Sequence, residues 1–380
     1  IMDELFNKGI FGLKNRGNTC FLNTAIQCIS NIPDLTHYFL TDAYLQDLTN
    51  RFQETKSTKN NEIILTREYG RLIKALWNTG SPIEPKTFHI CIQTYDSKFM
   101  GYQQHDAHEV LAMILDYMHE GLQYDVNISY GGNPENELDE LVIEANKSWS
   151  IIHKNKYSFI AELFFGQFIN KIISIETDKS ISKNFEMFNI LNIPIHGATL
   201  YDSLAKYFEK EILESKVLNE ETGEYINVYK EIKLIKVPKY LVIVLKRYKN
   251  SFSETSKQVG MITYPFIDMD LSSYSDGYDS FNCKMDLISI GCHRGGLSGG
   301  HYFSICKHFN GKWYKYDDDT VTECNILLNK PNLFREGYIL IYKKHDETSD
   351  EESEEASDEA SEDASDEASE EDANKPADEA

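Results

Sequence analysis

Cysteine is sparse in this 380-residue chain: there are seven, at positions 20, 28, 91, 283, 292, 306 and 324, with no Cys-x-x-Cys pair. An odd and scattered set supplies no disulfide framework and points to a reducing compartment. Long apolar runs are also missing. The longest, such as Tyr240 to Leu245, is far too short to cross a bilayer, and the opening residues show no basic stretch followed by an apolar one. A soluble intracellular protein, cytoplasmic or nuclear, is expected, with no membrane partner. Positive charge is in short supply, with 38 basic residues against 61 acidic ones and a net charge of −23, so no basic field is available to attract nucleic acid. The deficit is uneven. Residues 346–380 hold 18 acidic residues and one lysine, net −17, leaving only −6 for the rest. That segment has no aliphatic residue larger than alanine, so it cannot offset the entropy of ordering and is expected to be a disordered, solvated tail with no assignable partner. Its Ser-Asp-Glu units look like acidic-directed kinase sites.

What remains is long enough for about two ordinary domains or one large one. Residues 1–120 read as mostly helical, ending in GYQQHDAHEVLAMILDYMHEG. There Ala107, Val110, Leu111, Ile114, Leu115 and Met118 form an apolar stripe, Asp106 is placed to cap, and Gly121 is a natural stop. Residues 121–158 read as an inserted loop, rich in Gly, Asn, Pro and acid, with helix resuming near Ala145 to Lys154. From Phe159 to 345 the segments QFINKIISIE, YKEIKLIKV, YLVIVLKRY, HYFSICKHF, KWYKYD and GYILIYKK read as strands, and YLVIVL, apolar on both faces, belongs in a covered sheet. Helices followed by strands argue an α+β fold.

In GLKNRGNTCFLNTAIQ, Cys20 directly follows a Gly-Asn-Thr turn and opens a helix. Unpaired N–H groups and the positive end of the dipole favour an anion there, so the thiol is expected to lean toward the nucleophilic thiolate. Phe21, Leu22, Ala25, Ile26 and Ile29 share an apolar face; Cys20 sits on the polar one with Asn23, Thr24 and Gln27. Cys28, among apolar neighbours, reads as core.

A catalytic thiol needs a base and a group that orients the base. In SGGHYFSICKHFNGKWYKYDDDTV, His301 begins a strand, Asn310-Gly311 marks a hairpin, and the returning strand ends in Asp317, Asp318 and Asp319. A two-residue turn makes cross-strand partners sum to 621 and puts Asp318 opposite Phe303, on the face of His301; a three-residue loop makes the sum 622 and puts Asp317 on that face. Spacing alone leaves the two tied.

The cysteine stretch resembles the cysteine box of the ubiquitin-specific proteases, papain-like deubiquitinases, and GGHYFSICKHFNGKWYKYDDDTV resembles their histidine box. GYQQHDAHEVL, SFIAELFFGQF, FEMFNILNIPI, VPKYLVIVLKRY and YPFIDMDL resemble the family's intervening blocks in the same order. The resemblance implies a hand-like fold, with a helical thumb over 1–120, the insert over 121–158, and β fingers and palm over 159–345. It implies Cys20 as nucleophile, His301 as base, Asp317 as orienting acid, Asp318 as an assisting acid, and Asn15 as side-chain donor of the oxyanion hole. Asp106 and Glu109 match acids that face the basic tail of ubiquitin, although an N-cap aspartate needs no ligand. Gly299 and Gly300 match a strand edge past which a diglycine tail threads, with Tyr302 expected to line that channel.

The implied activity is hydrolysis of the isopeptide bond after the C-terminal glycine of ubiquitin, with ubiquitin and ubiquitinated proteins as partners and no cofactor. An inactive ubiquitin-binding module and a protease for a ubiquitin-like modifier are the alternatives. One departure stands out. Many members hold a structural zinc in the fingers with two Cys-x-x-Cys pairs, whereas SIETDKS and LNEETGEYINVYKEI contain no cysteine, so no thiolate zinc site is expected and packing must hold the fingers.

Overall fold

The computed structural model describes residues 8–346 apart from 56–59, 130–132, 155, 221, 251–254, 258–259 and 297–298. The acidic segment expected to be disordered lies, from residue 347 onward, outside the described residues.

The first third is helical: α1 (Cys20–Ser30), α2 (Pro33–Leu40), α3 (Ala43–Thr55), α4 (Asn61–Asn78), α5 (Lys86–Tyr95) and α6 (Ala107–Gly121). Three of the starts have a local cause. Pro33 opens α2, Asn60 accepts from the N–H of Ile63 ahead of α4, and Asp106 accepts from the N–H of His108 ahead of α6. The α6 stripe of Val110, Leu111, Ile114, Leu115 and Met118 is fully buried. In α1, by contrast, all 11 residues are buried, so its polar face does not meet solvent. The Asn23 amide donates to the carbonyl of Leu13 at 3.0 Å and that of Gln27 to the carbonyl of Phe11 at 2.9 Å. That face fastens the preceding chain to the helix.

Helix α7 (Glu137–His153) begins eight residues before the expected start at Ala145. Asn136 caps it and Glu137, Asp139 and Glu140 occupy its first turn, where the dipole favours carboxylates. The acidic composition that suggested a loop is a helix start. The change to β also comes later than Phe159, because α8 (Phe159–Phe164), capped by Ser158, intervenes; six wholly apolar-rich residues are too few to display a helical period.

Strands β1 (Gly166–Ser174), β2 (Ser180–Phe188) and β3 (Ile190–Pro194) lead to α9 (Leu200–Tyr207). The short β4 (Glu211–Ile212), β5 (Val217–Asn219) and β6 (Glu224–Ile226) precede β7 (Val228–Lys236), β8 (Tyr240–Lys246), β9 (Tyr248–Asn250), β10 (Thr255–Lys257) and β11 (Met269–Asp270). Then come β12 (Lys284–Gly296), β13 (Gly299–Lys307), β14 (Trp313–Asp317), β15 (Thr320–Glu323), α10 (Ile326–Glu336) and β16 (Gly337–Lys344). One sheet has the order β2-β1-β7-β4. The larger, eight-stranded sheet runs β15-β14-β13-β12-β16-β8-β3, with β11 on β12, and only β3 pairs parallel, against β8.

The large sheet is covered on both sides. Along β8, Tyr240, Val242 and Val244 enter the core shared with the helices, whereas Leu241, Ile243 and Leu245 enter a second core with α9 and α10 residues. In the smaller sheet, SIETDKS forms the β1–β2 turn, with Asp178 at φ 53°. There the Tyr229 hydroxyl donates to Asp178 at 2.5 Å and accepts from Lys210 at 3.1 Å, the lysine lying 4.5 Å from the ring centroid.

Candidate active site

The loop before α1 is built from its own side chains. Gly17 and Asn18 take φ of 94° and 57°, a region glycine and asparagine tolerate. Asn15 Oδ1 accepts from the N–H of Gly17 at 2.9 Å and of Thr19 at 3.1 Å, and Thr19 Oγ1 accepts from the N–H of Arg16 at 2.8 Å. Cys20 follows as the first residue of α1 and is 3% exposed.

Burial pushes the Cys20 thiol up; hydrogen bonds from the Tyr302 N–H, the Gln104 amide and the Phe21 N–H pull it back only in part, and the charge of Asp318 adds to the rise. The expectation that the helix start favours thiolate is thereby corrected, because desolvation outweighs the hydrogen bonds made to the sulfur. The surroundings of the sulfur thus oppose the thiolate.

His301 and Asp317 meet across the β13–β14 hairpin. Its register, Ser304 opposite Tyr316 and Lys307 opposite Trp313, gives partner sums of 620, a value neither expected turn allows. The N–H of His308 donates to the Lys312 carbonyl at 2.8 Å, which leaves Phe309, Asn310 and Gly311 as the connection, with Gly311 at φ 76°. The loop has three residues but is placed one position earlier than Asn310-Gly311 suggests. Parity then puts Asp317 on the face of His301, and His301 Nε2 lies 2.5 Å from Asp317 Oδ1. Lys315 Nζ donates to the other oxygen of Asp317 at 2.6 Å. Burial works to raise the Asp317 carboxyl, and Lys315 with His301 outweighs it and holds the group below its usual range.

Asp318, at φ 52°, is spent elsewhere. Its oxygens accept from Asn15 Nδ2 at 2.9 Å and Asn23 Nδ2 at 2.8 Å, and its carbonyl accepts from the N–H of Leu13 at 2.8 Å. Gly12 abuts the same turn so closely that a Cβ there would lie 2.4 Å from the Asp318 carbonyl oxygen. Asp318 thus joins the sheet to the Asn15 loop and to α1. One ligating atom from each of His301, Asp317 and Asp318 falls within 4.8 Å of the others, a spacing that could admit a cation, but the carboxylate oxygens already have these protein partners.

Of the expected tail-contact residues, Asp106 has its carboxylate engaged by the N–H of His108 at 2.9 Å, the His108 ring at 3.0 Å and the Tyr338 hydroxyl at 2.7 Å. Burial pushes that carboxyl up, and these hydrogen bonds bring it below its ordinary value. Glu109 pairs with Lys98 at 2.6 Å. Gly299 and Gly300 open β13, and a Cβ on Gly300 would lie 2.2 Å from His293 Nε2, so packing against β12 already demands glycine there. The Tyr302 side chain is 4% exposed and stacks on His293 with ring centroids 4.3 Å apart. Alternation along β13 turns its side chain away from the His301 face, and its N–H faces the Cys20 sulfur.

Three residues were missed. Gln104 accepts from the N–H of Gly300 at 3.1 Å, donates to the Gly300 carbonyl at 2.5 Å, and lies 3.3 Å from Cys20 Sγ. Nothing local in QQHD signals a contact 196 residues away. Asn23 was read only as part of a polar face. Lys315 was legible, since residues two apart on a strand share a face.

The family model described as ubiquitin carboxyl-terminal hydrolase matches residues 11–342. Ubiquitin carboxyl-terminal hydrolase 2 of Homo sapiens is 30% identical over 334 residues, 84% of this chain and 53% of that protein. The probable ubiquitin carboxyl-terminal hydrolase 16 of Schizosaccharomyces pombe is 28% identical over 90% of this chain and 68% of its own length. The chain therefore spans about half the length of the human relative. Among solved structures, a SAGA DUB module of Ubp8, Sgf11, Sus1 and Sgf73 bound to monoubiquitin has a TM-score of 0.68 at 19% identity, covering 90% of this chain and 70% of that one, and so shares its fold. Among the described residues no helix is long and apolar enough to cross a membrane. A match that begins one residue ahead of Gly12 and ends within β16 takes in every helix and strand described above but for the last two residues of β16, and the chain belongs to the ubiquitin carboxyl-terminal hydrolase family.

Proposed function

We propose that this chain is a deubiquitinating thiol protease that hydrolyses the isopeptide bond after the C-terminal glycine of ubiquitin in ubiquitinated proteins. The observation that carries the reading is the convergence on β13, which aims the Tyr302 N–H at the Cys20 sulfur and pairs His301 with Asp317 one residue earlier. Family membership and the name of the human relative support ubiquitin as the modifier.

In this reading Asp317 takes the Nε2–H of His301, which leaves Nδ1 as the basic nitrogen. As the Cys20 sulfur bonds to the scissile carbonyl carbon, its proton passes to that nitrogen, which suits a thiol that burial pushes up. The oxyanion accepts from the Cys20 N–H and from the second hydrogen of Asn15 Nδ2, whose first is held by Asp318. His301 then protonates the departing lysine amine, the C–N bond breaks, and a thioester remains. Water, deprotonated by His301, attacks the thioester, releasing the ubiquitin carboxylate and restoring the thiol.

The thumb is taken as 1–120, the insert as 121–158 and the fingers and palm as 159–345; Asp106, Glu109, Gly299, Gly300 and Tyr302 are taken as tail contacts. The seven cysteines are all free, which supports a reducing intracellular site in cytoplasm or nucleus. The test is covalent capture by a ubiquitin C-terminal electrophile beside equivalents built on ubiquitin-like modifiers. Capture of ubiquitin through Cys20 is expected. Preference for another modifier, or capture of ubiquitin by Cys20→Ala through a different cysteine, overturns the reading.

A further inference from the structure

Phe303 lies on the same face of β13 as His301, and two cations lie over its ring: Lys315 Nζ at 4.5 Å from the centroid and the Arg294 guanidinium at 5.3 Å. Each has its own hydrogen-bonded acid, although Arg294 also feels the charge of Asp317. Arg294 is held by Glu336 of α10 through two hydrogen bonds, Nε–Oε1 at 2.7 Å and Nη2–Oε2 at 3.2 Å. Lys315 is left with Asp317, at 2.6 Å, and its side chain is only 29% exposed. The Asp317 carboxylate is consequently gripped at both ends, Oδ1 by His301 and Oδ2 by Lys315.

We propose that Lys315 is a positioning residue for the reaction proposed above: its ammonium fixes the plane of the Asp317 carboxylate and limits how much of that negative charge the His301 imidazole receives. The inference rests on the roles given to Cys20, His301 and Asp317. Two consequences follow from the geometry. A planar carboxylate bonded at both oxygens cannot turn about its Cβ–Cγ bond, so the imidazole it holds keeps one orientation. A cation beside the acid also opposes the acid's pull on a proton, which keeps the imidazole available as a base.

The other charged and titratable groups around the pair are accounted for. Asp318 bonds Asn15 and Asn23, Glu323 of β15 pairs with Lys312, and Glu336 pairs with Arg294. The thiols of Cys292 on β12 and Cys324 beyond β15 feel the charge of Lys315 as a lowering influence, and burial, the larger one, keeps both raised. Cys20, across the cleft on α1, feels Asp318. Lys315 is therefore the cation in direct contact with the orienting acid. It also lines a surface pocket of about 250 Å³ with Arg294, Phe303, Cys324 and Glu336.

The test compares wild type, Lys315→Met and Lys315→Arg. The kcat/KM for ubiquitin carrying a C-terminal fluorogenic amide is measured as a function of pH, and the His301 imidazole is followed by NMR titration in the same proteins. In Lys315→Met the acid limb of the profile and the NMR midpoint both move to higher pH, by roughly one unit, and the plateau of kcat falls. Lys315→Arg keeps the wild-type midpoint. An unchanged NMR midpoint in Lys315→Met, or equal displacement in Met and Arg variants, overturns the proposal, since a role confined to packing moves melting temperature and not the midpoint. Failure of wild type to cleave ubiquitin defeats the parent reading alone, because the NMR arm still reports on Lys315.

Discussion

At the scale of single residues, two adjacent acids with similar exposure do different work. Asp317 pairs with the His301 imidazole and with Lys315, both partly open to solvent that can replace it. Asp317→Ala should therefore lower kcat by orders of magnitude while moving the urea midpoint little. Asp318 satisfies the amides of Asn15 and Asn23, the latter 3% exposed. Asp318→Ala leaves a buried amide short of a partner and should cost on the order of 1–3 kcal/mol in urea unfolding, with a smaller loss of kcat through Asn15. A larger kcat defect in Asp318→Ala than in Asp317→Ala would reverse these roles. Cys20→Ala should abolish hydrolysis and retain ubiquitin binding, measurable by titration calorimetry, because the side chain is small and the loop that holds it is bonded through Asn15 and Thr19.

Among the elements, α6 and α7 each contribute a buried histidine to the acid sensitivity of the fold. His119 and His153 are each lowered by burial, to about 4. His153, 1% exposed beside Trp149, Tyr157 and Phe165, stays neutral in the folded chain down to that value. The unfolded chain binds the proton at its ordinary value near 6.5, so stability is full above that pH and falls between about 6.5 and 4. Over that window His153 alone is worth roughly 3 kcal/mol. Replacing it with phenylalanine should flatten the dependence of melting temperature on pH; an unaltered slope would assign the loss to other groups. The smaller sheet supplies a second test. Its turn is fastened by Asp178, Tyr229 and Lys210 and holds no cysteine, so EDTA should change neither melting temperature nor activity. Stoichiometric zinc in the purified protein, with unfolding on chelation, would contradict this.

For the whole molecule, the large sheet is the shared wall of two cores. A strand with solvent on one side tolerates truncation there, but β8 has none. Val242→Ala faces the helical core and Ile243→Ala the second one, and each should cost about 2–4 kcal/mol in one cooperative transition. Two separate transitions, each moved by only one of the substitutions, would show that the cores unfold independently. Fluorescence of the tryptophans and loss of activity with urea make the comparison.

Much of this was determined by the sequence alone, because its causes are local. The caps of α4 and α6, the stripe of α6, the doubly covered β8 and the start of α1 at Cys20 depend on a few neighbouring residues. Resemblance to a known family supplied Asn15 and the choice of Asp317, which spacing had left open. The acidic opening of α7 and the apolar α8 were misread because composition and short length hide a helical period. Tertiary structure alone decided how far the Cys20 thiol is pushed up, since desolvation arises from everything packed around it, and the helix start offers against it only the Phe21 N–H. It also decided the partners. Gln104 meets Gly300 and Asp318 meets Asn15 across 196 and 303 residues, and no pattern in the chain encodes which distant carbonyl or amide will be left facing a given side chain. A hydrogen bond is specified by position and direction in space, and those are set only when the sheet and the helices close on each other.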